Sequence, residues 1–262
     1  MQTRAGMNYV QKLEYIPADV ELESVGNALE YAIDDWCVAQ MAKALNKQDD
    51  YEYFSKRAKL YTLYFDTKTE FMRGKLKNGQ WREPFNPLSS SHREDDYVEG
   101  NAWQYTWLVP QDPYGLIKLF GSEEKFIKKL DTLFTLEEGV VGDNASPDIS
   151  GFIGQYAQGN EPNHHIPYLY AYVGQPWKTA KLVHEIADKF YTSKPDGLCG
   201  NEDLGQMSAW YILSSMGFYS VNPANGIYVL GSPLVESATI THKNALSFKM
   251  TALNHSKENI YI

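Results

Sequence analysis

Three times in this chain a carboxylate, an amide and an aromatic or imidazole ring crowd into a short polar loop directly ahead of an aromatic helical run. The first is residues 97–107, with Glu99, Gly100, Asn101, Trp103 and Gln104. The second is residues 159–168, with Asn160, Glu161, Pro162, His164 and His165. The third is residues 200–211, where Asn201, Glu202 and Asp203 lie between Gly200 and Gly205, and Gln206 and Trp210 follow. One acid before a helix is an ordinary cap, because helix N-termini carry unsatisfied N–H groups and a positive dipole end. Three such junctions in one chain predict helices whose leading loops converge at one end of a helical barrel.

The rest of the pattern supports a mainly α chain. Leu29, Ile33, Trp36, Met41 and Leu45 recur at helical spacing over 24–45. A second helix is predicted over 49–65, opened by Asp49 and Glu52 and carrying Phe54, Ala58, Tyr61 and Phe65. Asp112 followed by Pro113 marks a helix start that ends near Gly121, and Ser122 starts another running to about Phe134. Further helices are predicted over 162–173, 176–192 and 204–216. Short strands are predicted at 228–230, 238–241 and 246–250, with another at Tyr261 and Ile262. The expected organisation is a lead-in over 1–23, a helical domain over 24–218 and a β-rich segment over 219–262. Long connections rich in Gly, Asn, Asp and Pro are the places to look for function.

Composition narrows the class. A formal net charge of −9 opposes a nucleic-acid partner, which calls for a basic face. No apolar run approaches the roughly 20 residues of a membrane span. Aromatic residues make up 14%, including 19 Tyr and 6 Trp, which suits stacking on sugar rings as well as a large core. Cys37 and Cys199 are too few for a disulfide framework or a zinc site, and Cys37 reads as a small core residue.

Paired carboxylates with aromatic neighbours are the equipment of glycoside hydrolysis: one acid protonates the leaving oxygen, the other activates water or attacks the anomeric carbon. Adjacent His164 and His165 point about 100° apart on a helix and do not match a two-histidine zinc motif. The oxygen donors Asn160, Glu161, Asp203 and Gln206 fit a hard cation such as calcium better. There is no phosphate-binding glycine loop and no serine-nucleophile elbow.

The three junctions, together with residues 29–36, 174–178, 217–223 and 231–234, resemble the motifs of glycoside hydrolase family 92. That resemblance implies an exo-acting, calcium-dependent α-mannosidase that inverts configuration and acts on α-mannoside oligosaccharides, α-1,2 linkages among them. It implies an (α/α)6 barrel preceded by a β-sandwich, of which this chain would hold an incomplete barrel and both catalytic acids, Glu99 as general acid and Asp203 as general base. Asn201 stands where some members carry an acid that assists the base. Trp103, Gln104, Glu161, His164, His165, Glu202 and Gln206 are then candidates for sugar contacts, and Asn160, Glu161 and Asp203 for calcium. Family members are commonly exported, which implies a secreted or periplasmic location. A non-catalytic carbohydrate-binding relic and a related barrel glycosidase acting on another sugar stay open as alternatives.

Overall fold

The computed structural model describes residues 4–222, 224–244 and 246–261. Eight α-helices and four small antiparallel hairpins occupy these residues. The helices are α1 (Met7–Leu13), α2 (Ser24–Ala44), α3 (Gln48–Arg57), α4 (Ala102–Tyr105), α5 (Pro113–Leu119), α6 (Glu123–Thr135), α7 (Pro176–Phe190) and α8 (Gln206–Ser215). The hairpins pair β1 (Phe65–Asp66) with β2 (Phe71–Met72), β3 (Phe152–Ile153) with β4 (Tyr156–Ala157), β5 (Phe218–Tyr219) with β6 (Val229–Leu230), and β7 (Ser237–Thr241) with β8 (Ser247–Thr251).

Local chemistry accounts for most boundaries. The Asp112 side chain accepts from the Gly115 N–H and Pro113 takes the first helical position, so α5 starts where the sequence predicts. Ser122 caps α6 by accepting from the Lys125 N–H. Two predicted helices are corrected. The run over 49–65 stops at Arg57 and continues as a 3-10 turn, Leu60–Tyr64, into β1. Its start lacks the expected side-chain cap, and Glu52 accepts instead from Gln48 at 2.6 Å. The run over 162–173 is two 3-10 turns, Glu161–Asn163 and Ile166–Val173. Pro162 and Pro167 cannot donate to an α-helical ladder, and the His164 and Tyr168 N–H groups bond three residues back.

α2 also turns a different face inward from the one expected. Val25, Leu29, Ala32, Asp35, Ala39 and Ala42 are buried, Ile33 and Trp36 are half-buried, and Met41 and Leu45 are each 61% exposed. Small side chains line this face, and Asp35 is held by Arg57 of α3 at 2.9 Å. Cys37 is half-buried and unbridged rather than part of the core. β6, β7 and β8 lie at the predicted positions, Tyr261 is in no strand, and Ile262 lies outside the described residues.

The core is aromatic. Trp107 stacks on Phe120 at 5.7 Å, and Phe126 meets both rings edge-on. Tyr168 stacks on Tyr219 at 5.0 Å, and Tyr191 on Trp210 at 5.7 Å. This core fixes the ends of α4 and α8 and the 3-10 turns between them, which carry the three polar loops.

Candidate active site

The first loop is shaped by a reciprocal cap. Asn101 accepts from the Gln104 N–H while Gln104 Oε1 accepts from the Asn101 N–H, so α4 begins immediately after Gly100. Glu99 is left just outside the helix. Its N–H donates to the Tyr105 hydroxyl at 3.1 Å. A Cβ on Gly100 would lie 2.8 Å from Gln104 Oε1 and 3.0 Å from the Tyr105 ring, so only glycine lets the chain fold back this tightly.

The second loop is tied to the first by Asn160, whose Nδ2 donates to the Glu99 carbonyl at 2.7 Å. It is tied to the third by backbone packing: a methyl group on Gly200 would overlap the Gly159 carbonyl oxygen and come within 2.6 Å of its Cα. Ser150 spans the same junction, donating to the Cys199 carbonyl at 2.7 Å while its own carbonyl accepts from the Gly159 N–H. Asn201 Nδ2 donates to Asp148 Oδ1 at 3.0 Å. The predicted convergence of the three loops is therefore present as a set of named contacts.

The electrostatics follow from that convergence. Burial pushes the Glu99 carboxyl up to about 7, and the negative charges of Glu30, Asp148, Glu161 and Asp203 add to the effect. Glu30, on α2, is also pushed up to about 7, by burial and then by Asp34 and Glu23. Glu161 is raised by burial, with Asp203 and Asp148 contributing. Asp203 is exposed, at φ +33°, and begins a run of left-handed residues through Leu204 and Gly205. Glu202 is a helix cap: it accepts from the Ser208 N–H at 3.0 Å and the Ser208 hydroxyl at 2.8 Å, and these bonds lower its pKa.

The histidines are buried and neutral, each pushed down to about 4 by burial. His164 Nε2–H donates to the Gln158 carbonyl at 2.9 Å, which leaves Nδ1 to accept from Gln206 Nε2 at 3.2 Å. The same Gln206 nitrogen lies 3.2 Å from the Tyr219 hydroxyl. His165 Nε2–H donates to the Trp107 carbonyl at 2.7 Å. Trp103 is buried with Lys129 Nζ 4.5 Å from its ring centroid and Phe71 edge-on at 4.8 Å. Gln104 is buried too, and its Nε2 donates to the Gln155 carbonyl at 3.1 Å. Glu99, Glu161, Asn201 and Asp203 thus gather at the loop junction, while Trp103 and Gln104 are enclosed by protein partners and His165 is buried beside a neighbouring cavity.

Two oxygens at the junction are left without partners among the described residues: Asn160 Oδ1 and Glu161 Oε1, both buried. Orphaned buried oxygens are costly unless something fills them. Among the described residues no group of three or more His, Cys, Asp and Glu side chains gathers as a ready metal cage. A cavity of about 320 Å³ adjoins Glu161, lined also by His165, Gln206, Trp210 and Tyr219, and neither Glu99 nor Asp203 lines it.

Sequence reasoning passed over two carboxylates that belong here. Asp148 gave only the weak signal of an acid beside Pro147 in a long polar loop. Glu30 sits inside an apolar helix, where an acid is unusual enough to mark.

The carboxylate cluster on interlocked helix-leading loops defines a candidate hydrolase site. The model of the glycosyl hydrolase family 92 catalytic domain matches residues 1–262, and the chain belongs to that family. It is 45% identical to a family 92 α-mannosidase of Bacteroides thetaiotaomicron solved with mannoimidazole, at a TM-score of 0.93 over 100% of this chain and 35% of that one. A family 92 inverting mannosidase of the same organism is 37% identical, with a TM-score of 0.82 over 97% of this chain and 35% of that one. A curated relative described as an uncharacterized secreted glycosidase, from Arthroderma benhamiae, is 26% identical over 96% of this chain and 33% of its own length. The chain spans about a third of the relatives it matches. No helix among the described residues is long and apolar enough to cross a membrane.

Proposed function

We propose that this chain carries the catalytic carboxylates of an inverting exo-α-mannosidase acting on terminal α-mannosides, α-1,2-linked ones included. The observation that carries the reading is the half-buried Glu99 at the interlocked loops, pushed up to about 7 by burial and by the neighbouring carboxylates. A carboxyl that keeps its proton near neutrality is what a general acid requires, while an exposed carboxylate such as Asp203 is available as base. Glu99 passes its proton to the glycosidic oxygen as the bond from that oxygen to the anomeric carbon breaks. Water attacks the opposite face and Asp203 takes the water's proton, so one water is consumed and β-mannose is released. Inversion needs roughly 6.5–9.5 Å between the two carboxyls, room for that water. Asn201 cannot accept the proton, and by holding Asp148 it fixes the rim of the site.

The orphaned oxygens of Asn160 and Glu161 fit a hard, oxygen-seeking cation. We assign them, with Asp203, to calcium. When bound, calcium would supply positive charge to orient sugar hydroxyls and favour the flattened transition state. Glu161 and Gln206 would hold the sugar, with His164 orienting Gln206. The helices would form part of an (α/α)6 barrel completed by the remainder of a full-length family protein, including its β-sandwich. Likeness to a secreted glycosidase supports export to a secreted or periplasmic location.

The test is proton NMR of the purified chain with a panel of linked mannobioses, with and without a chelator. β-Mannose appearing first, and lost on chelation, is the expected result. α-Mannose as first product overturns inversion, and binding without turnover would make the chain a carbohydrate-binding protein.

A further inference from the structure

We infer that Glu30 is a specificity-determining residue that accepts a hydrogen bond from a hydroxyl of the leaving-group sugar. The inference rests on the mannosidase reading of the site.

Helix α2 docks directly onto the loop that carries Glu99. The Val25 and Gly26 N–H groups donate to the Asp96 carbonyl at 2.9 and 3.0 Å. A Cβ on Gly26 would lie 2.6 Å from Val98 Cγ2 and 3.2 Å from the Tyr105 ring, so α2 rests on the residue before Glu99 and on the ring whose hydroxyl holds the Glu99 N–H. Glu30 is one turn further along, on the face that Gly26 begins. That places its carboxylate beside Glu99 at the α2 edge of the site. Glu30 is half-buried, yet it accepts no hydrogen bond and joins no ion pair among the described residues. A carboxylate so placed has unfilled acceptor capacity facing the site.

Its position relative to the other acids gives it a side. Glu161 feels Asp203, Asp148 and Glu202, whereas Glu99 feels Glu30 first among its charged neighbours and Asp203 last. Glu99 is thus the carboxyl that senses both Glu30, on the α2 side, and the Asp148, Glu161 and Asp203 group at the Gly159–Gly200 junction, whereas Glu30 senses only Asp34 and Glu23. In an inverting hydrolysis, water enters from the base and the leaving group departs past the acid. A group beyond the acid and away from the base meets the departing sugar.

The test compares the unsubstituted chain with Glu30→Gln and Glu30→Ala on two substrates: a mannobiose, whose leaving group bears hydroxyls, and 4-nitrophenyl α-mannoside, whose leaving group bears none. Assayed at pH 8, where Glu30 is ionised, a hydrogen bond to the charged acceptor is worth roughly a 10–100-fold effect. The ratio of kcat/KM for mannobiose to that for the aryl mannoside should fall at least about tenfold in Glu30→Ala and by less in Glu30→Gln, whose amide oxygen still accepts. Equal losses on both substrates, or an unchanged ratio, overturn the inference and make Glu30 a structural acid. Absence of turnover of both substrates by the unsubstituted chain, alone and joined to the remainder of a full-length family protein, overturns the mannosidase reading instead.

Discussion

Replacing Gly200 by alanine tests whether the site is assembled by close packing of the second and third loops. The added methyl would meet the Gly159 carbonyl oxygen, its Cα at 2.6 Å and its carbonyl carbon at 2.9 Å. All three are backbone atoms, so no side chain can swing away, and ordinary contact begins near 3.4 Å. The loops must part by close to 1 Å. Overpacking of this kind typically costs about 1–3 kcal/mol. For a chain of 262 residues, an unfolding entropy of about 2.1 cal/mol/K per residue turns 2 kcal/mol into a drop of about 4 °C in Tm. Catalytic geometry is more sensitive than stability: a displacement of about 1 Å can cost roughly 100-fold in rate.

The assay is thermal unfolding followed by turnover of an aryl mannoside, with Gly139→Ala as control. A Cβ at Gly139 meets nothing within 4 Å, and its φ lies outside the left-handed region, so that substitution should melt like the unsubstituted chain. Gly200→Ala should lose several degrees and, at temperatures where it remains folded, most of its turnover. A Gly200→Ala variant indistinguishable from Gly139→Ala would refute the packing argument, because loops that absorb a methyl at that junction are not holding Glu99 and Asp203 in register.

Two further perturbations follow from buried charges. Glu30 and Glu99 keep protons in the folded chain between about 4.5 and 7 that the unfolded chain has lost, so stability falls as pH rises through that window and levels off above it. His164 and His165, pushed down to about 4 from 6.5, act in the opposite sense below 6.5. The difference in Tm between the unsubstituted chain and Glu30→Gln/Glu99→Gln, measured in chelator from pH 5 to 8, isolates the carboxyls: it should move against the unsubstituted chain as pH rises, and a flat difference contradicts the assignment. Arg57→Met leaves Asp35 buried without its partner and should cost about 3 kcal/mol in urea unfolding, while adding Asp35→Leu should recover most of it; no recovery would mean that Arg57 acts through packing alone.

What could be read from the chain and what could not divides along physical lines. Side chains that act on their own backbone announce themselves locally. Asp112 with Pro113 and Ser122 mark helix starts by capping chemistry, and the structure places them there. The three polar loops announced themselves in the same way, because an acid and an amide beside an aromatic helix is a local composition. The departure over 162–173 is also local: two prolines in one run favour 3-10 turns over the predicted α-helix.

What the sequence withheld depends on contacts between distant segments. Asp148 is tied to the third loop by Asn201, 53 residues on. Glu30 reaches the site because Gly26 lets α2 lie on Val98 and Tyr105. The inner face of α2 was misjudged for the same reason: the helix is apolar on several sides, and the choice of Ala32, Ala39 and Ala42 over Met41 and Leu45 is made by neighbours that approach closely only over small side chains. Glycine ties both lessons together. Gly26, Gly159 and Gly200 read in sequence as loop punctuation or a helix flaw, yet each marks a place where two distant segments approach closely, and Gly100 lets one loop fold back on its own helix. The carboxylates supply the chemistry of the site, and these absent side chains bring them within reach of one another.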